Sequence, residues 1–230
     1  MIKKEKLSFT GHETFACRSY WLKKGVDFVQ NKGLFGESAV VELGVGRNMV
    51  SSIRFWLRSF GMTDEQDVLL PIAEIIFDDT EGVDPYCEDK GTIWLLHYLL
   101  VTTRRASMYQ IVFNHFRKER IEFSKKQLFE YLVLYCKKQE FTVHDTSIDR
   151  DIDVFLRNYV RKSQGKNIEE NLSGILQELA LVEKTGKYDS EDLYKIESSE
   201  HADLPALIVL FGIARQMRGS ASISFQELLI

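Results

Sequence analysis

Residues 40–61 have the sequence VVELGVGRNMVSSIRFWLRSFG, in which two helical patterns flank a turn that contains two glycines. We predict a short helix over residues 38–43 and a longer helix over residues 47–60. One apolar face of the longer helix consists of Met49, Ile53, Trp56, Leu57 and Phe60. This layout is typical of a helix-turn-helix, which places its second helix in the major groove of DNA.

The polar face of the longer helix carries the residue types that a DNA-recognition helix uses. Arg47, Ser51, Arg54 and Arg58 recur at helical spacing along one stripe, and Asn48 lies beside them. Arg and Asn bond base edges or phosphates, and Ser commonly contacts phosphate. We therefore predict that these five residues contact DNA. The alternative is an ordinary amphipathic surface helix, because Arg is a common exposed helix former.

The charges of the chain are arranged in blocks, although its formal net charge is only −4. Residues 63–89 contain ten acidic and no basic side chains, whereas residues 1–62 and 90–126 have net charges of +5 and +6. Local fields rather than net charge attract a polyanion. In the third block, Arg104 and Arg105 join five further cations that form either a phosphate-contacting surface or a solvated face. Those five are Arg117, Lys118, Arg120, Lys125 and Lys126.

A second unit of the same kind is predicted further along the chain. It consists of a helix from Ser124 to about residue 138, a turn, and a helix from residue 147 to about 162 that Thr146 and Asp149 cap. A hairpin over residues 183–197 would be its wing. The DNA-contacting candidates of this unit are Arg150, Arg157 and Arg161. Three aspartates in the same helix, at positions 149, 151 and 153, oppose phosphate and weaken the prediction.

Helical patterns dominate the rest of the chain, so we expect a mainly α fold with helix-turn-helix or winged-helix-like units and short β wings. The other helices are predicted at 14–31, 92–103, 106–116, 167–180 and 203–218, and residues 67–77 are expected to form strands or a wing. We place an N-terminal winged-helix-like domain at 1–90 and a helical domain at 91–230. A further helical pattern starts in SISFQELLI and no polar tail follows, so we expect either that the chain continues beyond residue 230 or that its end docks as an apolar tail.

Residues that suit catalysis are present but scattered. Carboxylates such as Asp84 and Glu88 can supply oxygen ligands to Mg²⁺ or Mn²⁺, although an acidic loop or a partner-binding face explains them as well. His12 and Glu13 adjoin, but they need a third ligand from elsewhere to hold a metal. No metal-ligand spacing is found, and three widely spaced cysteines favour a reducing cytosol. The longest apolar stretch, residues 93–101, is too short for a membrane span.

Four stretches together resemble a bacterial family of unknown function that is found beside DNA phosphorothioation genes of the Dnd and Ssp type. They are GHETFACRSYWLKKG (11–25), the opening stretch, DPYCEDKGTIWLLHYLL (84–100) and SIDRDIDVFLRNYV (147–160). The Ssp branch includes a member described as a DNA-nicking enzyme. Polar residues of this chain that match the signature stretches are His12, Glu13, Arg18, Asp84, Glu88 and His97. Of these, His97 is more simply a core histidine.

The resemblance implies a cytoplasmic protein that binds double-stranded DNA within a phosphorothioation or phage-defence system. A metal-dependent DNA nickase is the activity that such binding would support, with Mg²⁺ or Mn²⁺ as cofactor. Its candidate catalytic residues are His12, Glu13, Asp84 and Glu88. The alternative is a non-catalytic scaffold that binds a PAPS-reductase-like protein of the same system. A homodimer is compatible with these predictions, since winged-helix proteins often pair, but nothing in the sequence requires it.

Overall fold

Helices make up most of the fold, which confirms the expected mainly α class. The structure is a computed structural model that describes residues 7–161, 174–197, 200–217, 219–224 and 226. Its α-helices in these ranges are α1 (Trp21–Gln30), α2 (Ala39–Glu42), α3 (Arg47–Ser59), α4 (Pro71–Phe77), α5 (Lys90–Thr103), α6 (Ser107–Ile111), α7 (Arg117–Glu119), α8 (Lys125–Lys138), α9 (Asp145–Tyr159) and α10 (Ala206–Met217). A π-helical turn (Val112–Phe116) joins α6 to α7, and a 3-10 helix covers Ile175–Leu179. No helix among the described residues is long and apolar enough to cross a membrane.

A small antiparallel sheet combines one strand from before α8 with the hairpin that follows α9. The strands are β1 (Glu122–Ser124), β2 (Val182–Tyr188) and β3 (Glu191–Ile196), in the spatial order β1-β3-β2. Phe123 of β1 lies opposite Tyr194 of β3. The hairpin predicted over residues 183–197 is therefore confirmed.

Close packing of α1 on α3 positions the helix-turn-helix pattern. A Cβ added at Gly25 would lie 2.8 Å from side-chain carbons of both Ile53 and Leu57, so the two helices approach each other over a glycine. The indole of Trp56 is fully buried and donates a hydrogen bond to the Phe15 carbonyl at 3.1 Å. These contacts fix the apolar face of α3 in the core.

One hydrophobic core collects buried side chains from both sides of the domain boundary predicted at residue 90. It includes Leu22 and Trp56 from the N-terminal part, and Leu96, Phe116 and Phe155 from the C-terminal part. The hydroxyl of Thr103 donates to the Ser59 carbonyl at 2.6 Å and joins the ends of α5 and α3. The two-domain division stays a prediction.

Two N-terminal predictions were wrong. The helix expected from Thr14 begins only at Trp21, because Glu13 and Thr14 have positive φ angles of 47° and 67° that no α-helix tolerates. Residues 67–77 were expected to be strands or a wing, but Pro71 occupies the first turn of α4, where its missing N–H costs nothing.

Other boundaries also differ from the sequence expectations. Thr146 and Asp149 do not form the predicted capping box, since α9 begins at Asp145 and its N-cap, His144, makes no side-chain capping bond. The helix expected over 106–116 instead continues through the π-helical turn to Glu119. Of the helix expected over 167–180, only the 3-10 helix falls within the described residues. Residues 167–173 lie outside them, as do residue 225 and residues 227–230 of the expected C-terminal helix.

Candidate nucleic-acid interface

The segment from α2 to α3 has the short helix, turn and longer helix that its sequence predicts. Gly44, in the turn, has a φ of +61°, a conformation that favours glycine. Gly46 is the N-cap of α3 and has an extended backbone conformation. As a glycine it has no side chain that could cap the helix. The first turn of α3 therefore begins directly after an exposed, glycine-containing loop.

The polar stripe of α3 divides into an exposed part and a paired part. Arg47, Asn48 and Ser51 are exposed at the start of the helix. Arg54 and Arg58, further along, are half-buried and share one carboxylate, that of Asp67. The Arg54 Nη2 atom lies 2.6 Å from Asp67 Oδ2, and the Arg58 Nη2 atom lies 2.8 Å from Asp67 Oδ1. Hydrogen bonding to Asp67 also raises the pKa of Arg54, so its charge is firmly held in this pair.

The acidic stretch that follows α3 neutralises further cations. Arg105 forms an ion pair with Glu65, and Arg58 Nη1 lies 3.9 Å from a Glu65 carboxylate oxygen. Arg104 is exposed and ends α5 with a left-handed φ of 60°. Of the predicted DNA-contacting residues in this half, Arg47 keeps a guanidinium with no ion-pair partner among the described residues.

In the second unit, two of the three predicted arginines bind the protein itself. Arg157 donates to the Thr14 carbonyl at 2.7 Å, and Arg161 donates to the Gln177 carbonyl at 3.1 Å. Arg150 is exposed and has no ion-pair partner in the described ranges. It lines a groove of about 870 Å³ between the start of α8, the start of α9 and the tip of the β2–β3 hairpin.

The candidate catalytic residues do not converge on one site. His12 is buried, with 3% of its surface exposed, and its Nε2 atom lies 2.9 Å from Asp151 Oδ1. Glu13 is exposed. Asp84 accepts backbone hydrogen bonds from Glu88 and Asp89 at 2.9 and 3.0 Å, which shapes the loop before α5. Within the described residues, no group of three His, Cys, Asp or Glu side chains is arranged to hold a metal ion.

Comparison with protein families decides where this chain belongs. Residues 9–230 match the family described as "Protein of unknown function (DUF4007)". The chain belongs to this family.

Solved structures similar to this DUF4007 protein are those of SspB. The magnesium ion-bound SspB crystal structure is 30% identical, with a TM-score of 0.78, over 93% of this chain and 67% of that chain. A second SspB crystal structure is 31% identical, with a TM-score of 0.74, over 89% of this chain and 64% of that chain. The chain thus spans about two thirds of the length of SspB, and it matches no curated protein.

In this DUF4007 chain, two of the signature stretches hold each other in place. The Asp151 carboxylate accepts from the Thr10 backbone N–H at 3.0 Å as well as contacting His12. Asn158, about two turns further along α9, accepts from the Cys17 N–H at 3.0 Å and donates to the Tyr109 hydroxyl at 2.6 Å. These hydrogen bonds hold the segment before α1 against α9, so His12 has a structural role.

Sequence reasoning missed the residues that pair with the predicted site. Asp67 and Glu65 belong to the acidic block of residues 63–89. Its charge is opposite to that of the basic segments on either side, and this difference could have indicated ion pairs between them. The same block supplies Asp79, which lies 2.6 Å from the buried Lys23 ammonium and shares it with Asp27. Among the described residues, three of the ten carboxylates of the acidic block therefore pair with cations of their own chain.

Proposed function

We propose that this chain binds double-stranded DNA and serves a bacterial DNA phosphorothioation or phage-defence system. The observation that carries DNA binding is the start of α3, where Arg47, Asn48 and Ser51 are exposed while the opposite face of the helix is fixed in the core. Similarity to SspB supports the phosphorothioation context, because the sequence resemblance implies the same kind of system.

The division of the arginine stripe sharpens this proposal. Arg54 and Arg58 would have to give up their bonds to Asp67 before binding a phosphate, whereas Arg47 has no such bond to lose. A guanidinium already paired with a carboxylate contributes little net attraction to a polyanion. The contact with DNA therefore centres on the start of α3, and the paired arginines brace the loop around Asp67 against the helix.

The second unit supports the proposal through its order of elements. A helical segment, β1, α8, α9 and the β2–β3 hairpin follow one another, and the sheet order is β1-β3-β2. We propose that this is a winged-helix arrangement with the hairpin as its wing. The exposed Arg150 on α9 is then a further phosphate contact.

A salt-dependent duplex-binding experiment tests the proposal. Replacing both Arg47→Ala and Asn48→Ala should weaken binding of a labelled duplex about tenfold or more, and should lower the slope of log affinity against log salt by about one. Lys137→Ala with Lys138→Ala, two exposed changes at the end of α8, is the matched control and should retain wild-type affinity. Wild-type binding by a folded Arg47/Asn48 variant would reject the role given to α3.

DNA nicking is the second candidate function, and similarity to a magnesium-bound SspB structure favours it. The residues present do not form a three-ligand metal site in the described part of the chain. Asp84, the best carboxylate candidate, is engaged with backbone N–H groups of its own loop.

A plasmid assay decides between binding alone and nicking. The nicking candidate predicts that purified protein converts supercoiled plasmid to open circle with Mg²⁺ or Mn²⁺, and that EDTA abolishes the conversion. Asp84→Asn with Glu88→Gln should remove the activity, whereas Glu81→Gln, exposed in the same acidic stretch, should not. Plasmid that stays supercoiled with each divalent ion would leave DNA binding as the function of this chain.

A further inference from the structure

The groove of the second unit has the size of a ligand site and aromatic rings in its wall. Its volume of about 870 Å³ falls within the range of roughly 300–1,000 Å³ that is typical of small-molecule sites. Phe129 of α8 and Tyr194 of β3 both line it and are only half-buried. Half-buried rings in a concave surface offer flat apolar area for another planar group.

Ion pairs within the protein neutralise much of the charge around this groove. Lys125 Nζ lies 2.9 Å from Asp149 and 2.8 Å from Asp153, and Lys184 Nζ lies 2.6 Å from Asp192. Hydrogen bonding to Lys184 also lowers the pKa of Asp192, so this carboxylate stays ionised and paired. These fixed pairs hold α8 against α9 and stiffen the hairpin, so the groove is formed before any ligand arrives.

The remaining polar groups of the groove are of mixed character. Lys126 and Arg150 are exposed cations, and Asp145 and Glu191 are exposed carboxylates, with no ion-pair partner for any of the four among the described residues. Two cations beside two carboxylates do not suit a ligand made of phosphate alone. They suit a planar group that carries both donors and acceptors on its edge and has a phosphate attached, as a nucleotide does.

We propose that this groove binds unpaired bases of a DNA strand. Phe129 and Tyr194 stack on the bases, Asp145 and Glu191 accept from N–H groups on the base edges, and Lys126 and Arg150 contact the adjoining phosphates. Aromatic stacking combined with basic side chains is the usual basis of single-strand binding. The inference rests on the proposed DNA binding and deepens it, because it specifies that the phosphate contact of Arg150 in the second unit is to an unpaired strand, while α3 contacts the duplex.

Fluorescence anisotropy with a labelled oligothymidylate of about 12 nucleotides tests the groove. Tyr194→Ala should weaken its binding about tenfold, as expected for the loss of one stacking platform. Tyr188→Ala removes a ring that is 74% exposed on the same hairpin but does not line the groove, and should bind as the wild type does. Phe129→Leu, which keeps apolar packing and removes the aromatic ring, should also weaken binding.

The same variants separate this inference from the duplex proposal. The Arg47/Asn48 double variant should lose duplex affinity and keep oligothymidylate affinity, and Tyr194→Ala should do the reverse. Unchanged oligothymidylate binding in folded Tyr194→Ala and Phe129→Leu would overturn the groove assignment. So would a wild-type protein that binds duplex but no oligothymidylate, and that result would leave the proposal for α3 intact.

Discussion

His97 lies among the rings of Trp94, Phe113 and Tyr159, and its Nδ1 atom is 2.8 Å from the Tyr159 hydroxyl. Burial lowers the pKa of His97 to about 3, and the positive charge of Arg117 acts in the same direction. The neutral imidazole is therefore the form present at neutral pH. This agrees with the core role expected from its apolar sequence context and removes His97 from the candidate polar site.

This shift predicts a pH-dependent stability. The pKa of His97 is about 6.5 in the unfolded chain and about 3 in the folded one, so the unfolded state binds more protons below pH 6.5. The stability that depends on neutral His97 is complete above pH 6.5 and is lost toward pH 3, by up to about 1.4 kcal/mol per pH unit. Thermal unfolding followed by circular dichroism between pH 7 and pH 5 measures it. His97→Gln should lose less stability over this range than the wild type.

His144→Gln is the control for that measurement, because it removes an exposed imidazole at the start of α9. Its unfolding temperature should fall with pH as steeply as that of the wild type. If His97→Gln followed the same steep slope, another group would be responsible for the pH dependence.

Helical spacing predicted which residues share the outer face of α3, but not what they contact. Arg54 and Arg58 are 13 and 9 residues from Asp67 in sequence, and only the fold of the intervening loop brings the carboxylate to both. Spacing within one helix depends on local geometry, which the sequence specifies. Pairing between a helix and a loop depends on the tertiary path of the chain, which periodicity does not describe.

At the level of elements, predictions succeeded where a local interaction defines a boundary. The helix expected from Ser124 is α8, because the Ser124 hydroxyl accepts from the Gln127 N–H while the Gln127 side chain accepts from the Ser124 N–H. The prediction for α9 failed by two residues because no such pair exists there. The side-chain contacts that fix α9 lie further along the helix, where Asp151 and Asn158 accept from the backbone of the N-terminal segment.

Pro71 shows how one residue can support two opposite predictions. A proline inside an apolar run was interpreted as a break between strands, but the same residue is well suited to the first turn of a helix. The fully buried Ile76 and Phe77 show that tertiary packing of a short helix decided the outcome. With seven residues, α4 is too short for periodicity to have revealed it.

Across the whole molecule, polar contacts link the N-terminal segment to α9 over more than 140 residues of sequence. Cys17 N–H donates to Asn158, and Arg157 donates to the Thr14 carbonyl. A Cβ added at Gly174 would lie 2.7 Å from the Asn158 Cα, so the chain before the 3-10 helix closes over the same point. Such links favour folding of the two halves as one unit.

We therefore predict one cooperative unfolding transition rather than two. Trp21, Trp56 and Trp94 all lie in or near the predicted N-terminal domain, so their fluorescence follows that part, whereas far-ultraviolet circular dichroism follows all helices. The two signals should change at the same temperature.

Asn158→Ala leaves the Cys17 N–H and the Tyr109 hydroxyl without their partner. It should lower the free energy of unfolding by about 1–3 kcal/mol, and the transitions seen by fluorescence and by circular dichroism should move together. Lys138→Ala, an exposed change, should shift neither, and a fluorescence transition separate from that of circular dichroism would instead support a domain boundary near residue 90.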